Sequence, residues 1–522
     1  MEALERTTTP SLLRAAAQTW GERVAISDEQ TAWPMQLTWD GLLDSVRHFA
    51  AALHGRGVRH GDCVAIWAPN THHWIIGALG AQYIGAIVVP INTRYTDSEA
   101  LDIIVRSSAG TLIIVGDFLG KRRLPELLAQ CDGAPGSVKT VIEVPYEAPV
   151  QSSALSTSWL DFLDTATPAL LAAADAASKR VHTDDIADIL FTSGTTGKSK
   201  GVLATHDQTV HVGRTWGTIA TLAPEDCYML LSPFFHTFGY KAGFIACLYH
   251  GVRMVPQSVF RVDNVIGLAE KHRVSVLSGA PTIFQSILDT ELHRTRDLTH
   301  LRVAVTGATT VPVTLVERLQ DQLGVDIVLT AYGLTETSGY VCSTRPEDSP
   351  HTVATTCGRP IDGMQVKLDH TGELLVRGRL VMRSYLDDPH ATAAAIDSEG
   401  WLHTGDIATI SPDGNIAITD RIKDMFITGG FNVYPAEVEQ AILAVPGVRE
   451  CAVIGVHDTR MGEVGKAFVC TSISDASIDE RLRAQCNALL AKFKIPHYIE
   501  VVDALPRNTS GKVDKLQLRR RG

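Results

Sequence analysis

Long apolar runs are missing from this chain: no stretch supplies the ~18 uninterrupted apolar residues that a membrane-spanning helix needs. The start of the chain carries Glu2 and Glu5 and no apolar signal core, so a cytoplasmic protein without membrane insertion is expected. Cysteine is sparse too. The nine cysteines are scattered, with no Cys-x-x-Cys pair and no histidine nearby at zinc-ligand spacing, which argues against a disulfide framework and against structural zinc. Positive charge is in deficit: a formal net charge of −11 speaks against a nucleic-acid partner, whose phosphates are bound by lysine and arginine. The short basic runs Lys121-Arg122-Arg123 and Arg519-Arg520-Arg521 read as solvated surface.

What is present is an ordinary globular composition, 45% hydrophobic and 20% charged, over 522 residues. At ~150 residues per domain this suggests about three compact units. Helix-period and strand-like segments alternate from about residue 37 to 109: residues 39–54 are amphipathic, 62–67 a short apolar run, 74–85 helical again. A Ser/Ala-rich stretch at 151–180 interrupts the rhythm as a loop with one Ala-rich helix. A second α/β series runs from 185 to about 340, with strands expected at 186–191, 302–306 and 326–332, each followed by a loop rich in Gly, Thr or Tyr. Ligands in open α/β sheets bind beyond the carboxyl ends of strands, so these loops are expected to converge on one site. After Cys357 come short strands and tight turns (Asp362-Gly363, Thr371-Gly372, Asp413-Gly414), a small β-rich unit. From about residue 423 the pattern is α+β: helix 435–444, strands 450–456 and 466–472, helix 479–493.

The most informative segment is FTSGTTGKSKGV, residues 191–202, directly after an apolar strand. Its glycines let backbone N–H groups approach an anion, its hydroxyls add donors and its lysines add charge, so it reads as a phosphate cradle. Two near-matches fail. The Gly197-Lys198-Ser199 triplet would end a Walker A loop only if a glycine stood where Thr192 is. The run from Gly197 to Gly201 fits the nucleophile-elbow pattern formally, yet lysines flank its serine and no strand-to-helix elbow is evident.

The string resembles the phosphate-binding signature of the adenylate-forming superfamily of acyl-CoA synthetases, luciferases and nonribosomal adenylation domains, with Ser199 where many members carry proline. Further stations follow in the family's order over nearly the whole chain. TAYGLTE, residues 330–336, resembles the adenine and magnesium segment, implying that Tyr332 stacks on the base, Thr335 contacts phosphate and Glu336 holds Mg²⁺. Gly307-Ala308-Thr309 resembles the adenine-wall turn. WLHTGD, residues 401–406, and DRIKD, residues 420–424, imply ribose binding by Asp406 and Arg421 and a hinge at Lys423. LPRNTSGK, residues 505–512, looks like the C-terminal lysine motif, in which Lys512 stabilises charge as pyrophosphate departs. Read without the family, the ribose segments would pass for solvated turns and Lys512 for surface.

The implied architecture is α/β: a large N-terminal domain, residues 1–420, made of two doubly wound subdomains plus the β-rich unit, then a hinge at 421–424 and a mobile small α+β domain at 425–522. The resemblance implies ATP, Mg²⁺ and coenzyme A. It divides the phosphate loop's contacts among Thr192, Ser193, Gly194, Thr195, Thr196 and Lys200, and it places Gly429-Gly430 along the pantetheine tunnel. PFFHTFG, residues 233–239, is similar to the histidine-bearing acyl segment; His236 either gates that pocket or is a satisfied core histidine. That segment lacks the aspartate by which amino-acid-activating relatives hold an ammonium. PFFHTFGYKAG, VATTCGRP and KDMFITGGFNVYPAEVEQ resemble more narrowly the actinobacterial CoA ligases of sterol catabolism. A small-molecule carboxylate of polycyclic, steroid- or terpenoid-derived type is therefore expected, and a homodimer is allowed. The alternatives are a medium- or long-chain fatty acyl ligase, an enzyme loading an acyl carrier protein, a luciferase-like oxygenase and a non-catalytic nucleotide-binding regulator.

Overall fold

Two seven-stranded sheets dominate the computed structural model, which describes residues 6–31, 33–131, 135–192, 199–307, 311–421, 424–428, 431–433, 435–472, 478–490, 492–508 and 511–521. The first sheet has the spatial order Gly201–Thr205, Ile186–Phe191, Ile87–Pro90, Cys63–Trp67, Thr111–Val115, Thr140–Val144, Thr157–Ser158. All neighbours are parallel except Gly201–Thr205, which returns antiparallel along Ile186–Phe191. Strands such as Thr111–Val115 are buried along their whole length, which is why they read as continuous apolar runs rather than as alternation. The His72–Tyr83 helix is buried on every face. It lies close to its neighbours because Gly77 and Gly80 present no side chain: a Cβ there would stand 2.9 Å from Ile113 and 2.7 Å from Phe49.

The second sheet runs Ile327–Leu329, Val303–Val305, Val276–Ser278, Cys227–Leu230, Arg253–Pro256, Val24–Asp28, Met35–Thr38, parallel apart from its last member. Chain order and sheet membership therefore differ from the two consecutive α/β series expected. Val24–Asp28 pairs with Arg253–Pro256 in the second sheet, and the hairpin flanking the phosphate loop belongs to the first. Hydrophobic periodicity defines a strand but carries no information about its partner.

A fully buried ion pair ties the first sheet to the helix beside the second. Asp188, on Ile186–Phe191, meets Lys241 Nζ at 3.0 Å and accepts from the Thr209 hydroxyl at 2.7 Å. Lys241 belongs to Phe238–Ile245, a π-helical segment of a type frequent at functional sites.

The β-rich unit is an antiparallel meander of Met364–Leu368, Glu373–Gly378, Leu402–Ile410 and Ile416–Arg421. Beyond it, Phe426–Thr428, Phe431–Val433, Val448–Asp458, Gly462–Thr471 and Tyr498–Val501 form a five-stranded sheet. The helices Pro435–Leu443 and Ile478–Leu489 cover one face of it, sharing a core with Phe426, Val453 and Val469. The short Lys515–Arg519 helix covers the other through Leu518. Among the described residues, no helix is long and apolar enough to cross a membrane.

Candidate active site

The phosphate loop is the connection of an antiparallel hairpin, with Phe191 opposite Gly201. Thr192 donates its N–H to the Lys200 carbonyl at 2.9 Å and accepts the Lys200 N–H on its hydroxyl at 3.4 Å, so the loop is pinched shut at its base. Ser193, Gly194, Thr195 and Thr196 lie outside the described residues. The Arg106 guanidinium donates to the Ser199 carbonyl at 2.6 Å and rests over the Phe191 ring at 5.1 Å. The Lys200 ammonium sits 4.7 Å from the centroid of the Tyr385 ring.

Residues 330–336 do not form one strand as expected. The chain leaves the second sheet at Thr330, whose N–H donates to the Thr344 hydroxyl at 2.9 Å and whose own hydroxyl donates to the Val353 carbonyl at 3.1 Å. It re-enters a small three-stranded sheet as Ala331–Tyr332 and ends in a 3₁₀ turn, Thr335–Thr337. The backbone folds back so tightly that a Cβ on Gly333 would lie 2.3 Å from the Gly339 carbonyl. The turn leaves Thr335 and Glu336 partly buried. The Glu336 carboxylate accepts from the Tyr385 hydroxyl at 2.8 Å, while its backbone carbonyl accepts from Met382 N–H at 2.7 Å.

Tyr332 and Asp406, 74 residues apart, meet directly: the phenol donates to Asp406 Oδ2 at 2.5 Å. Burial and the neighbouring Asp406 charge hold the phenol well above its ordinary pKa, so it remains a donor. Asp406 stands opposite Arg421 across the meander's last two strands, which brings both ribose candidates to one edge in backbone register. Gly307 follows Thr306, whose N–H donates to the Leu329 carbonyl at 2.9 Å. Ala308, Thr309, Lys423, Gly429 and Gly430 lie outside the described residues.

His236 sits in a turn closed by its own N–H on the Pro233 carbonyl at 3.1 Å. Gly239 is required there, since a Cβ would come within 2.2 Å of that carbonyl. Burial first, then the positive charges of Lys512 and Arg94, push the His236 imidazole down to about 4. The C-terminal turn thus reaches the acyl segment. Its geometry is fixed by Lys512 N–H donating to Asn508 Oδ1 at 3.0 Å and Asn508 N–H donating to the Lys512 carbonyl at 2.8 Å. Gly511, at φ +81°, passes so close to Arg94 that a Cβ would lie 3.4 Å from its guanidinium.

Several buried donors around this segment lack a partner: Trp216 Nε1, Thr306 Oγ1 and Ser338 Oγ, with the Tyr228 hydroxyl facing Ser278 and Trp216 without completing a bond. The Trp216 ring packs edge-on against Phe238 at 5.4 Å and Tyr340 at 5.8 Å.

Arg94, Arg106 and Tyr385 were not marked by the sequence. Arg94 was within reach, because it lies in a polar loop beyond the carboxyl end of the parallel strand Ile87–Pro90, the criterion applied to three other loops. No group of three or more metal-ligating side chains occurs among the described residues. Glu336 fits Mg²⁺ all the same, since that ion takes one or two protein carboxylates and completes its shell with phosphate oxygens and water.

The fold and site define an adenylate-forming ligase. Residues 13–386 match the family described as AMP-binding enzyme, residues 437–512 match the AMP-binding enzyme C-terminal domain, and the chain belongs to that family. It is 50% identical over 513 residues to the 3-[(3aS,4S,7aS)-7a-methyl-1,5-dioxo-octahydro-1H-inden-4-yl]propanoyl:CoA ligase of Rhodococcus jostii, covering 98% of each chain. The Mycobacterium tuberculosis protein of the same description is 49% identical over 92% of this chain and 93% of its own. Among solved structures, ATP-bound MatB from Rhodopseudomonas palustris superposes with a TM-score of 0.84 at 28% identity, covering 99% of both chains.

Proposed function

We propose that this AMP-forming acyl-CoA ligase activates a bicyclic, steroid-derived propanoate as its acyl-adenylate and transfers the acyl group to coenzyme A. The observation that carries the chemistry is the meeting of Lys512 and Arg94 at His236, which sets two cations beside the acyl segment where a carboxylate and an α-phosphate must approach each other. The substrate class rests on the two relatives, whose printed acyl group carries two ketones on a fused bicycle. The unpartnered donors of Trp216, Thr306 and Ser338 support it. A buried donor without a partner costs ~1–3 kcal/mol, and a ketone oxygen relieves that cost where an alkyl chain does not.

In the first half-reaction a carboxylate oxygen attacks the α-phosphorus of ATP; the new O–P bond forms as the bond to pyrophosphate breaks. Lys512 stabilises the charge shared by the carboxylate and the α-phosphate. Backbone and hydroxyl donors of residues 192–200 hold the departing phosphates, assisted by Lys200 and Thr335. Tyr332 stacks on the adenine opposite residues 307–309. Asp406 and Arg421 grip the ribose hydroxyls, and the Tyr332 hydroxyl fixes one Asp406 oxygen for that task. Bound at Glu336, Mg²⁺ supplies charge screening of the triphosphate.

In the second half-reaction the CoA sulfur attacks the carbonyl; the C–S bond forms, the C–O bond to AMP breaks and the thiol proton passes to solvent. The Lys512 turn must withdraw to admit the thiol. In this reading residues 425–522 turn about a hinge at 421–424, centred on Lys423, against residues 1–420, and Gly429-Gly430 line the pantetheine path. The free thiols of all nine cysteines fit a reducing, cytoplasmic setting.

The test is incubation with ATP, Mg²⁺, CoA and carboxylates ranging from bicyclic diketone propanoates to linear fatty acids, with AMP and thioester followed by mass. The bicyclic acid is expected to give the highest kcat/KM. Adenylate without CoA ester across the whole set refutes the acceptor, and thioester from linear acids alone refutes the substrate class.

A further inference from the structure

Tyr385 belongs to none of the stations by which the sequence resembles its family, yet two of their charged groups meet on it. Its hydroxyl donates to Glu336 Oε1 at 2.8 Å, and its ring face carries the Lys200 ammonium at 4.7 Å. The side chain has little freedom, with the residue 7% exposed. Its backbone is fastened to the strand leaving the phosphate loop: Tyr385 forms an antiparallel bridge with Val202, Leu203 N–H donates to the Ser384 carbonyl at 3.1 Å, and Leu386 N–H donates to the Gly201 carbonyl at 2.7 Å. Its own N–H donates to the Thr392 hydroxyl at 3.0 Å, which locks the segment from the other side.

The chemistry of the two contacts explains why a tyrosine stands there. A carboxylate and an ammonium this near to one side chain would pair with each other if it were missing, and each would then be lost to the nucleotide. A phenol keeps them apart while satisfying both. Its hydroxyl occupies a lone pair on one Glu336 oxygen and leaves the other oxygen for a cation. Its ring attracts Lys200 without taking any of the three ammonium N–H donors, by a contact of ~0.5–2 kcal/mol that yields readily to a phosphate.

We infer that Tyr385 is a positioning residue, holding Glu336 and Lys200 separate and oriented toward the metal-bound triphosphate. The inference rests on the proposed role of Glu336 as the Mg²⁺ carboxylate. Tyr385→Phe keeps the ring and deletes the hydroxyl; Tyr385→Ala deletes both and lets Glu336 and Lys200 pair. In Tyr385→Phe, Mn²⁺ affinity of the enzyme–ATP complex, measured by loss of the free-ion paramagnetic resonance signal, should weaken about fivefold to tenfold, the scale of one hydrogen bond to a charged group. The Mg²⁺ concentration for half-maximal adenylation should rise in step, with thioester formation from a supplied acyl-adenylate unchanged. Tyr385→Ala should in addition lose ATP affinity measured without metal, while Tyr385→Phe keeps it.

Glu336→Gln separates the two readings. If Glu336→Gln weakens Mn²⁺ binding and Tyr385→Phe does not, the inference about Tyr385 is overturned by itself. If Glu336→Gln binds Mn²⁺ like the parent, the metal role of Glu336 falls and takes the inference with it.

Discussion

Replacing Lys241 with methionine tests the buried tie between the first sheet and the π-helical segment. Both partners are essentially inaccessible, at 1% and 0% side-chain exposure, and lie 3.0 Å apart. Methionine fills similar volume, so the change removes charge rather than creating a cavity. Asp188 is then left buried with only the Thr209 hydroxyl on its other oxygen. Breaking one side of a buried pair costs about 3–5 kcal/mol. With a urea m-value of about 3 kcal/mol/M for a large domain, the unfolding midpoint should fall by roughly 1–1.5 M. Tryptophan fluorescence is a suitable reporter, because buried Trp74 packs at 5.7 Å on Tyr240, the neighbour of Lys241. Burial already drives the Asp188 carboxyl up and the Lys241 ammonium down, each offset by its partner. Without Lys241 the Asp188 carboxyl is raised further above its unfolded value. The protonated form is tolerated and the ionised form is not, so the deficit should shrink toward pH 4 and widen as pH rises. The double variant Asp188→Asn with Lys241→Met carries no buried charge and should recover most of the loss. A single-variant shift below about 0.3 M, or a double variant no more stable than the single, refutes the reasoning.

Lys512→Ala should suppress adenylation about 10²–10³-fold, the scale of removing one preorganised charge from a transition state, while sparing thioester formation from a supplied acyl-adenylate; persistence of pyrophosphate exchange refutes the assignment. Acid stability should be governed by buried histidines, since burial pushes His206 and His211 down to about 4 and His73 lower still. Their folded pKa values lie below the unfolded ~6.5, so the unfolded chain binds more protons between those limits. Stability is therefore present above pH 6.5 and lost as pH falls toward 4, by about 1.4 kcal/mol per pH unit for each such histidine. His206, whose Nδ1 lies 2.9 Å from the Thr9 hydroxyl, is the cleanest probe. Urea midpoints across this window should show His206→Gln less steep than the parent by about one proton, and parallel curves refute the attribution.

Much of this fold is legible in the sequence because its strands are short, apolar and fully covered. Ile186–Phe191 falls where the apolar run places it, and Cys63–Trp67 and Pro435–Leu443 come within a residue of their expected bounds. Partnership is not legible, as Val24–Asp28 and the phosphate-loop hairpin demonstrate. The split at Thr330 escaped notice because a threonine inside an apolar strand is unremarkable until its hydroxyl finds Val353, which is distant in sequence and close in space. The basic run at 121–123 is surface only in part: Lys121 and Arg122 are exposed, whereas Arg123 lies over the Trp67 ring at 5.3 Å. Within the site, Tyr332, Glu336, Asp406 and Lys512 stand in recognisable strings. Tyr385 and Arg94 act through neighbours from other parts of the chain, so no local pattern marks them.

The geometry narrows the choice left open for His236. A histidine beside the reacting carboxylate invites a role as general acid, yet Lys512 and Arg94 hold its imidazole at about 4, so at neutral pH it carries no proton to give. Adenylation asks for none: the nucleophile is already an anion, and the leaving pyrophosphate departs into a cradle of donors and cations. The charge on the transferring phosphoryl is met by Lys512 and Arg94, whose side chains remain protonated throughout this range. A third cation at His236 would tighten binding of the carboxylate ground state as much as of the transition state, which raises affinity without accelerating the step. A neutral imidazole beside Phe235, with ring centroids 5.4 Å apart, instead serves as a movable wall of the acyl pocket. The two cations that keep His236 neutral are thus the same two that make the site receptive to a carboxylate, and withdrawal of the Lys512 turn before thiol attack would release both constraints together.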